Sequence, residues 1–300
     1  MFRLLASLTL LAAMAGCERT ITAQDVFLPD RAPSLILSVS DERGLLIDRN
    51  QPREGLFEAA GISFEDGRLE TSVGEVAWRL ARQGDPDKPL IVNCHGNAGD
   101  IENHGNLTVW KLHPHGDVMV WDYPGYGASD GHARVSDFEA VAADLAVSLP
   151  GFRRDETQKV VFWGYSFGGF ICARLAAQSG LADAVVFEAS ALSAEMAVKA
   201  FVPAYASLFV RPRLSDDLRG YDNAAALRGV DAPVLVLSGL KDRVLPPRQS
   251  RRLRDGLIAA GLDVDFGAFE TANHFTIAFS DGFDEQVEVF LSEAGVLAPD

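Results

Sequence analysis

Gly164-Tyr165-Ser166-Phe167-Gly168 places a serine hydroxyl between two glycines, where an apolar run from Val160 to Trp163 gives way to a helix-like segment ending past Cys172. A chain that reverses this sharply forces its central residue into strained backbone angles, and flanking glycines remove the Cβ atoms that would collide there. A strand-turn-helix of this kind lifts a serine out of a sheet and offers it as a nucleophile. The hydroxyl is a poor nucleophile at neutral pH, so it needs a histidine within hydrogen-bond reach and a carboxylate to orient the ring. Of the six histidines, His274 follows the last strand-like run and precedes the last helix-like one, whereas His104, His113, His115 and His132 lie earlier, on a helix or in polar loops. Asp242 sits just past the buried run Pro233 to Ser238, giving the order Ser, Asp, His along the chain. Glu188, at the end of the preceding strand, is the rival acid.

A serine attacking a carbonyl builds negative charge on oxygen, which two preorganised N–H donors must meet. The main-chain N–H of Phe167 is one. The other is expected from the loop His95-Gly96-Asn97-Ala98-Gly99, where Gly96 allows close approach; Asn97 is the choice and Ala98 the alternative. His95 reads as a loop-fixing side chain. The histidines lack metal-site spacing, so no metal is expected. Gly164 to Gly169 has neither the G-x-G-x-x-G pattern nor a Walker lysine, which argues against nucleotide binding.

The elements that must carry these residues follow from periodicity. Pro89 to Cys94, Val118 to Trp121, Val160 to Trp163, Ala184 to Phe187, Pro233 to Ser238 and Val264 to Phe269 are short apolar runs, separated by helix-like stretches. This alternation predicts an α/β fold: a mostly parallel sheet with helices on both faces and right-handed crossovers. Ligands then collect at the carboxyl ends of the strands, where the loops at 95, 122, 164, 239 and 270 must converge. Gly55 to Glu65, Leu69 to Ser72 and Gly74 to Ala81 read as short antiparallel arms, with Asp66-Gly67 as a turn. From Glu188 to Arg228 the rhythm is interrupted, and Met196, Phe201, Tyr205, Leu208 and Phe209 suggest a lid over residues 189–228, or ordinary helical packing. Pro247 to Ala260 is a basic-faced helix.

Three hundred residues that are 48% apolar suffice for one large domain, expected over 55–298. The net charge of -15 argues against a nucleic-acid surface and equally against attraction to anionic lipid headgroups. Three cysteines exclude a full disulfide framework. Cys94 and Cys172, in apolar runs, read as separate buried thiols.

Residues 1–16 show one charge at Arg3, an apolar stretch from Leu4 to Met14, and Ala15-Gly16 before Cys17. The stretch is shorter than the ~20 residues that span a bilayer. Met14-Ala15-Gly16-Cys17 resembles the lipobox of bacterial lipoproteins, with Met14 where leucine is usual, which implies acylation of Cys17 and a membrane-anchored envelope protein. An ordinary secretory signal with a soluble product and an uncleaved anchor are the alternatives. Residues 17–54, with Pro29, Pro33 and Pro52, read as a tether and lead-in.

His95-Gly96-Asn97-Ala98-Gly99, Asp122-Tyr123-Pro124-Gly125-Tyr126-Gly127, Gly164-Tyr165-Ser166-Phe167-Gly168-Gly169, Asp242 and His274 together resemble the α/β-hydrolase fold, and within it the Bem46-like and serine aminopeptidase-like (S33-type) branch. The resemblance implies cofactor-independent serine hydrolysis of a carboxylic ester or thioester on a small-molecule or lipid-like acyl substrate, with Ser166, His274 and Asp242 as triad. It implies no obligate protein partner. A peptidase-like amidase and a non-catalytic envelope binding protein of the same fold are the other readings.

Overall fold

The computed structural model describes residues 18–29, 54–200 and 211–297. In chain order its elements are β1 (Glu18–Ile21), α1 (Ala23–Val26), α2 (Glu54–Ala59), β2 (Ser63–Thr71), β3 (Gly74–Arg82), β4 (Leu90–Cys94), α3 (Asn106–Leu112) and β5 (Asp117–Trp121). Then come α4 (Val135–Ser148), β6 (Val160–Tyr165), α5 (Gly168–Ser179), β7 (Ala184–Glu188), α6 (Ala194–Ala200), β8 (Arg211–Leu214), α7 (Asp216–Arg219) and α8 (Asn223–Ala226). The chain continues through β9 (Val234–Gly239), α9 (Arg248–Ala259) and β10 (Val264–Phe269) to α10 (Phe283–Glu293).

Eight of these strands form one sheet in the order β10-β9-β7-β6-β4-β5-β3-β2. The neighbours from β5 to β10 are parallel, while β2 and β3 form an antiparallel edge. Because side chains alternate across a strand, each apolar run feeds two cores. Leu90, Val92, Phe162, Phe187 and Val236 face α4, α5 and α9, whereas Ile91, Val161, Trp163, Val186 and Leu235 face α2, α3 and α10. Burial of both faces is what turns these strands into continuous apolar runs rather than alternating ones.

Four expectations need correction. Glu54–Ala59 is a helix, not a strand. Asp66-Gly67 lies inside β2, and the hairpin turns at Ser72-Val73; Gly67 stands opposite Trp78, and a Cβ there would collide with the indole that covers it. The cross-strand ring therefore dictates glycine where a turn signal was read. Residues 18–29, expected as part of a tether and lead-in, are built into the fold: β1 pairs in parallel with β8, and Phe27 is buried against Phe138 and Phe167 at centroid distances of 4.6 and 5.2 Å. Cys94 and Cys172 are joined in a disulfide, Cα to Cα 5.7 Å, because α5 packs across β4 and brings its second turn over the strand end. In the expected lid, α6, β8, α7 and α8 are described, and Met196 is half-buried; Phe201, Tyr205, Leu208 and Phe209 lie outside the described residues.

Candidate active site

Ser166 stands at the turn between β6 and α5 with φ +53°, in the left-handed region, where a side chain other than glycine is strained. Its neighbours hold it there. The Ser166 N–H donates to the Glu188 carbonyl at 2.8 Å, and the Ser190 hydroxyl donates to the Ser166 carbonyl at 2.8 Å. Gly168 opens α5 directly against the end of β4, where a Cβ would overlap the carbonyl oxygens of Cys94 and His95. The two glycines of the pattern are therefore close-approach positions, and the strain at Ser166 is over-determined by packing.

His274 follows β10, and Asp242 follows β9. The two loops are tied together: Leu240 N–H donates to Phe269 O at 2.9 Å and Lys241 N–H to Ala272 O at 2.8 Å. His274 Nδ1 lies 2.7 Å from Asp242 Oδ2, and His274 Nε2 lies 3.0 Å from Ser166 Oγ. Asp242 Oδ1 accepts from the Val244 and Leu245 N–H groups at 2.7 and 2.8 Å, which fixes the carboxylate. A carboxylate oxygen at Nδ1 favours the tautomer with its proton there, which leaves Nε2 to face the serine hydroxyl. Both His274 and Asp242 are buried, which removes competing water. Tyr165 adds a support with no local sequence signal, donating from its hydroxyl to the His274 carbonyl at 3.0 Å.

Glu188, the rival acid, is engaged elsewhere. Its buried carboxylate meets Lys111 Nζ at 3.2 Å and accepts from Trp163 Nε1 at 3.0 Å. Lys111 also lies 5.3 Å from the centroid of the Tyr165 ring, so the pair forms a charged floor beneath the turn. A buried carboxylate with both a cation and an indole N–H is satisfied in place and has no need of the histidine.

The loop after β4 reaches the same edge. The main chain at Gly96 packs on the Tyr165 ring and lies near Ser166 Cβ. Tyr123 donates from its hydroxyl to His95 O at 2.7 Å, and its ring stacks on the His95 imidazole at 3.7 Å. His95 Nδ1 points at Gly96 O at 2.7 Å, and burial pushes the imidazole down to about 4, so it holds the loop as a neutral ring. Asp122 accepts from the N–H groups of Ile101 and Ala128 at 2.7 and 2.9 Å, and burial, opposed by these bonds, leaves its carboxyl pushed up to about 6.

Asn97 is held by the N-terminal segment. Its side-chain amide donates to Val26 O. Tyr126 Oη lies 3.1 Å from both Asn97 O and Asn97 Oδ1 and accepts from Leu28 N–H at 3.0 Å. Among the described residues, neither the Asn97 nor the Phe167 main-chain N–H has an acceptor. Sequence reading named both positions but missed the support from Val26, Leu28 and Tyr126, whose partners lie 29 to 98 residues away. The only local signal was the tyrosine-rich loop. Cys17 lies outside the described residues.

A buried histidine placed to accept a serine proton, with two free N–H groups on adjoining loops, suits addition to a carbonyl carbon. Residues 85–221 match the family described as serine aminopeptidase, S33. An uncharacterized protein of Mycobacterium tuberculosis is 29% identical over 208 residues, covering 67% of this chain and 71% of the relative. Protein bem46 of Schizosaccharomyces pombe is 22% identical over 222 residues, covering 73% of each. Among solved structures, an esterase of Pyrococcus furiosus, Pf2001, superposes with a TM-score of 0.61 at 13% identity, covering 81% of this chain and 98% of that one.

Proposed function

This chain has the α/β-hydrolase fold and is related to its serine aminopeptidase-like and Bem46-like branch, and from that premise we propose that it is a serine hydrolase acting on a carboxylic ester or thioester. The observation that supports this reading is the line of contacts Ser166 Oγ to His274 Nε2 at 3.0 Å and His274 Nδ1 to Asp242 Oδ2 at 2.7 Å. Ser166 Oγ forms a bond to the carbonyl carbon as its proton passes to His274 Nε2, and the carbonyl π electrons move onto oxygen. The N–H groups of Asn97 and Phe167 receive that oxyanion. Collapse of the tetrahedral species expels the alcohol or thiol, which takes the proton back from His274, and leaves an acyl-Ser166. Water, deprotonated by His274, adds to the acyl carbon, and as the bond to Ser166 Oγ breaks that oxygen takes the proton back from His274 and the acid leaves. The main-chain and side-chain groups named here complete the cycle without a cofactor.

An amide-cleaving reading is favoured by one observation, the match to the serine aminopeptidase description. A rate series over ester, thioester and aminoacyl-amide substrates of increasing chain length separates the two. Fluorophosphonate labelling tests the shared premise: the native protein is expected to label and Ser166→Ala to lose the label. A native protein that does not react, or a Ser166→Ala form that reacts equally, leaves the non-catalytic binding protein as the reading.

We further propose that Cys17 carries a lipid anchor to a bacterial envelope membrane. The layout of residues 1–17 supports it; among the described residues no helix is long and apolar enough to cross a membrane. Several acyl chains at about 0.8 kcal/mol per buried methylene would hold the protein there. A Cys17→Ser form should leave the membrane fraction on salt washing.

A further inference from the structure

The chain is acidic overall, with 42 Asp and Glu against 27 Lys and Arg, yet residues 241–254 reverse the balance. That stretch, KDRVLPPRQSRRLR, holds six cations and one carboxylate, Asp242. Asp242 is buried and committed to His274 and two N–H groups, so it does not neutralise its neighbours. Arg254 pairs with Asp255 at 2.7 Å. Lys241, Arg243, Arg248, Arg251 and Arg252 are exposed, and among the described residues none has a carboxylate partner. Arg248, Arg251 and Arg252 recur at i, i+3 and i+4 and therefore share one face of α9.

The position of this stripe in the fold gives it meaning. Lys241 and Arg243 flank Asp242 at the carboxyl end of β9, and α9 opens five residues beyond Arg243, so its first turns rise from the sheet edge that carries Ser166 and His274. The N-terminal segment is fastened to the same edge through Val26 and Leu28. Glu18, the residue after Cys17, begins the strand that pairs with β8. The first turns of α9, the nucleophile and the N-terminal segment at Val26 and Leu28 are thus all tied to the carboxyl edge of the sheet.

We propose that the stripe Lys241, Arg243, Arg248, Arg251 and Arg252 is a docking surface for anionic phospholipid headgroups, which turns the mouth of the active site toward the bilayer. Cations near an anionic leaflet attract it individually, and Asp255, the one carboxylate within α9, is already paired with Arg254. Net charge therefore does not forbid the contact. A membrane fits this surface better than a second acidic chain because the stripe adjoins the site where an acyl substrate would enter. The choice of occupant rests on the proposed acyl-hydrolase reading, whereas vesicle binding by the stripe is measured independently of turnover at Ser166.

The test is sedimentation of the full chain carrying Cys17→Ser with vesicles of phosphatidylcholine alone or mixed with phosphatidylglycerol. Any pull from residues 4–14 enters both arms equally. The expected result is a preference for the mixed vesicles that falls as salt rises. In Arg248→Gln/Arg251→Gln/Arg252→Gln the preference should drop about a hundredfold, with circular dichroism unchanged. No preference in the parent, or a preference that salt and the triple variant leave intact, overturns the proposal. Self-association that disappears in the variant, with vesicle binding unaltered, overturns it too and assigns the stripe to a second copy.

Discussion

The hydroxyl of Tyr165 donates a 3.0 Å hydrogen bond to the main-chain carbonyl of His274, so the residue before the proposed nucleophile holds the loop that carries the proposed base. Ser166 and His274 are thereby placed by one another's neighbours. Removing the bond with Tyr165→Phe keeps the ring over Gly96 and Lys111 but frees the His274 loop. A net hydrogen bond is worth about 1 kcal/mol, so kcat should fall by roughly fivefold while KM changes little. Steady-state kinetics decide it: an unchanged kcat would show that packing alone fixes His274.

The support under Asn97 makes a second prediction. Tyr126 is buried and serves Leu28 and Asn97 at once, so Tyr126→Phe strands a donor and an acceptor. The expected cost is about 1–3 kcal/mol, read as a lower urea midpoint, with faster proteolysis within residues 18–29. If the midpoint and the cleavage rate match the parent, the N-terminal segment is held without Tyr126, by Phe27, the Asn97–Val26 bond and the β1–β8 pairing.

Acid stability should depend on His95. Burial lowers its imidazole to about 4 from the ordinary value near 6.5, so the neutral ring favours the folded state fully above about pH 6.5. That contribution is lost as pH falls through about 4. Asp122 acts in the opposite sense: with its carboxyl raised to about 6, its contribution is complete below its ordinary value of 3.8 and lost as pH rises through about 6. The parent should therefore change little between pH 4 and 6. His95→Gln leaves Asp122 alone, and its stability relative to the parent should improve by up to about 3 kcal/mol from pH 6.5 to 4. Urea unfolding of both forms at several pH values checks this, and a constant gap between them counts against a neutral buried His95.

The Cys94–Cys172 disulfide closes a loop of sequence separation 78 between the end of β4 and α5. Chain-entropy reasoning gives a loop of that size about 4.5 kcal/mol, with typical values of about 2–4. Cys94→Ser/Cys172→Ser should unfold at correspondingly lower urea, and reductant should shift the parent but not the variant. A parent insensitive to reductant under unfolding conditions would mean the two thiols are not bonded.

The amino-acid sequence determined what is local. Apolar runs of strand length, the helix-like stretches between them, and the two glycines around Ser166 each constrain the backbone over a few residues, and these constraints sufficed for a parallel sheet and for the loops at its carboxyl edge. Asp66-Gly67 misled because glycine there answers to Trp78 on the next strand rather than to a turn. What only the tertiary structure decided is which distant groups meet: Asp242 rather than Glu188 at His274, Cys94 on Cys172, Tyr165 under the His274 loop, and Val26 and Leu28 against Asn97 and Tyr126. Such pairings carry no period, since each is set by the packing of helices and strands tens of residues apart. The basic face of α9 is legible in the sequence, but only the packing set its first turns at the edge that holds Ser166, a relationship that net charge conceals because it sums over faces that only folding separates.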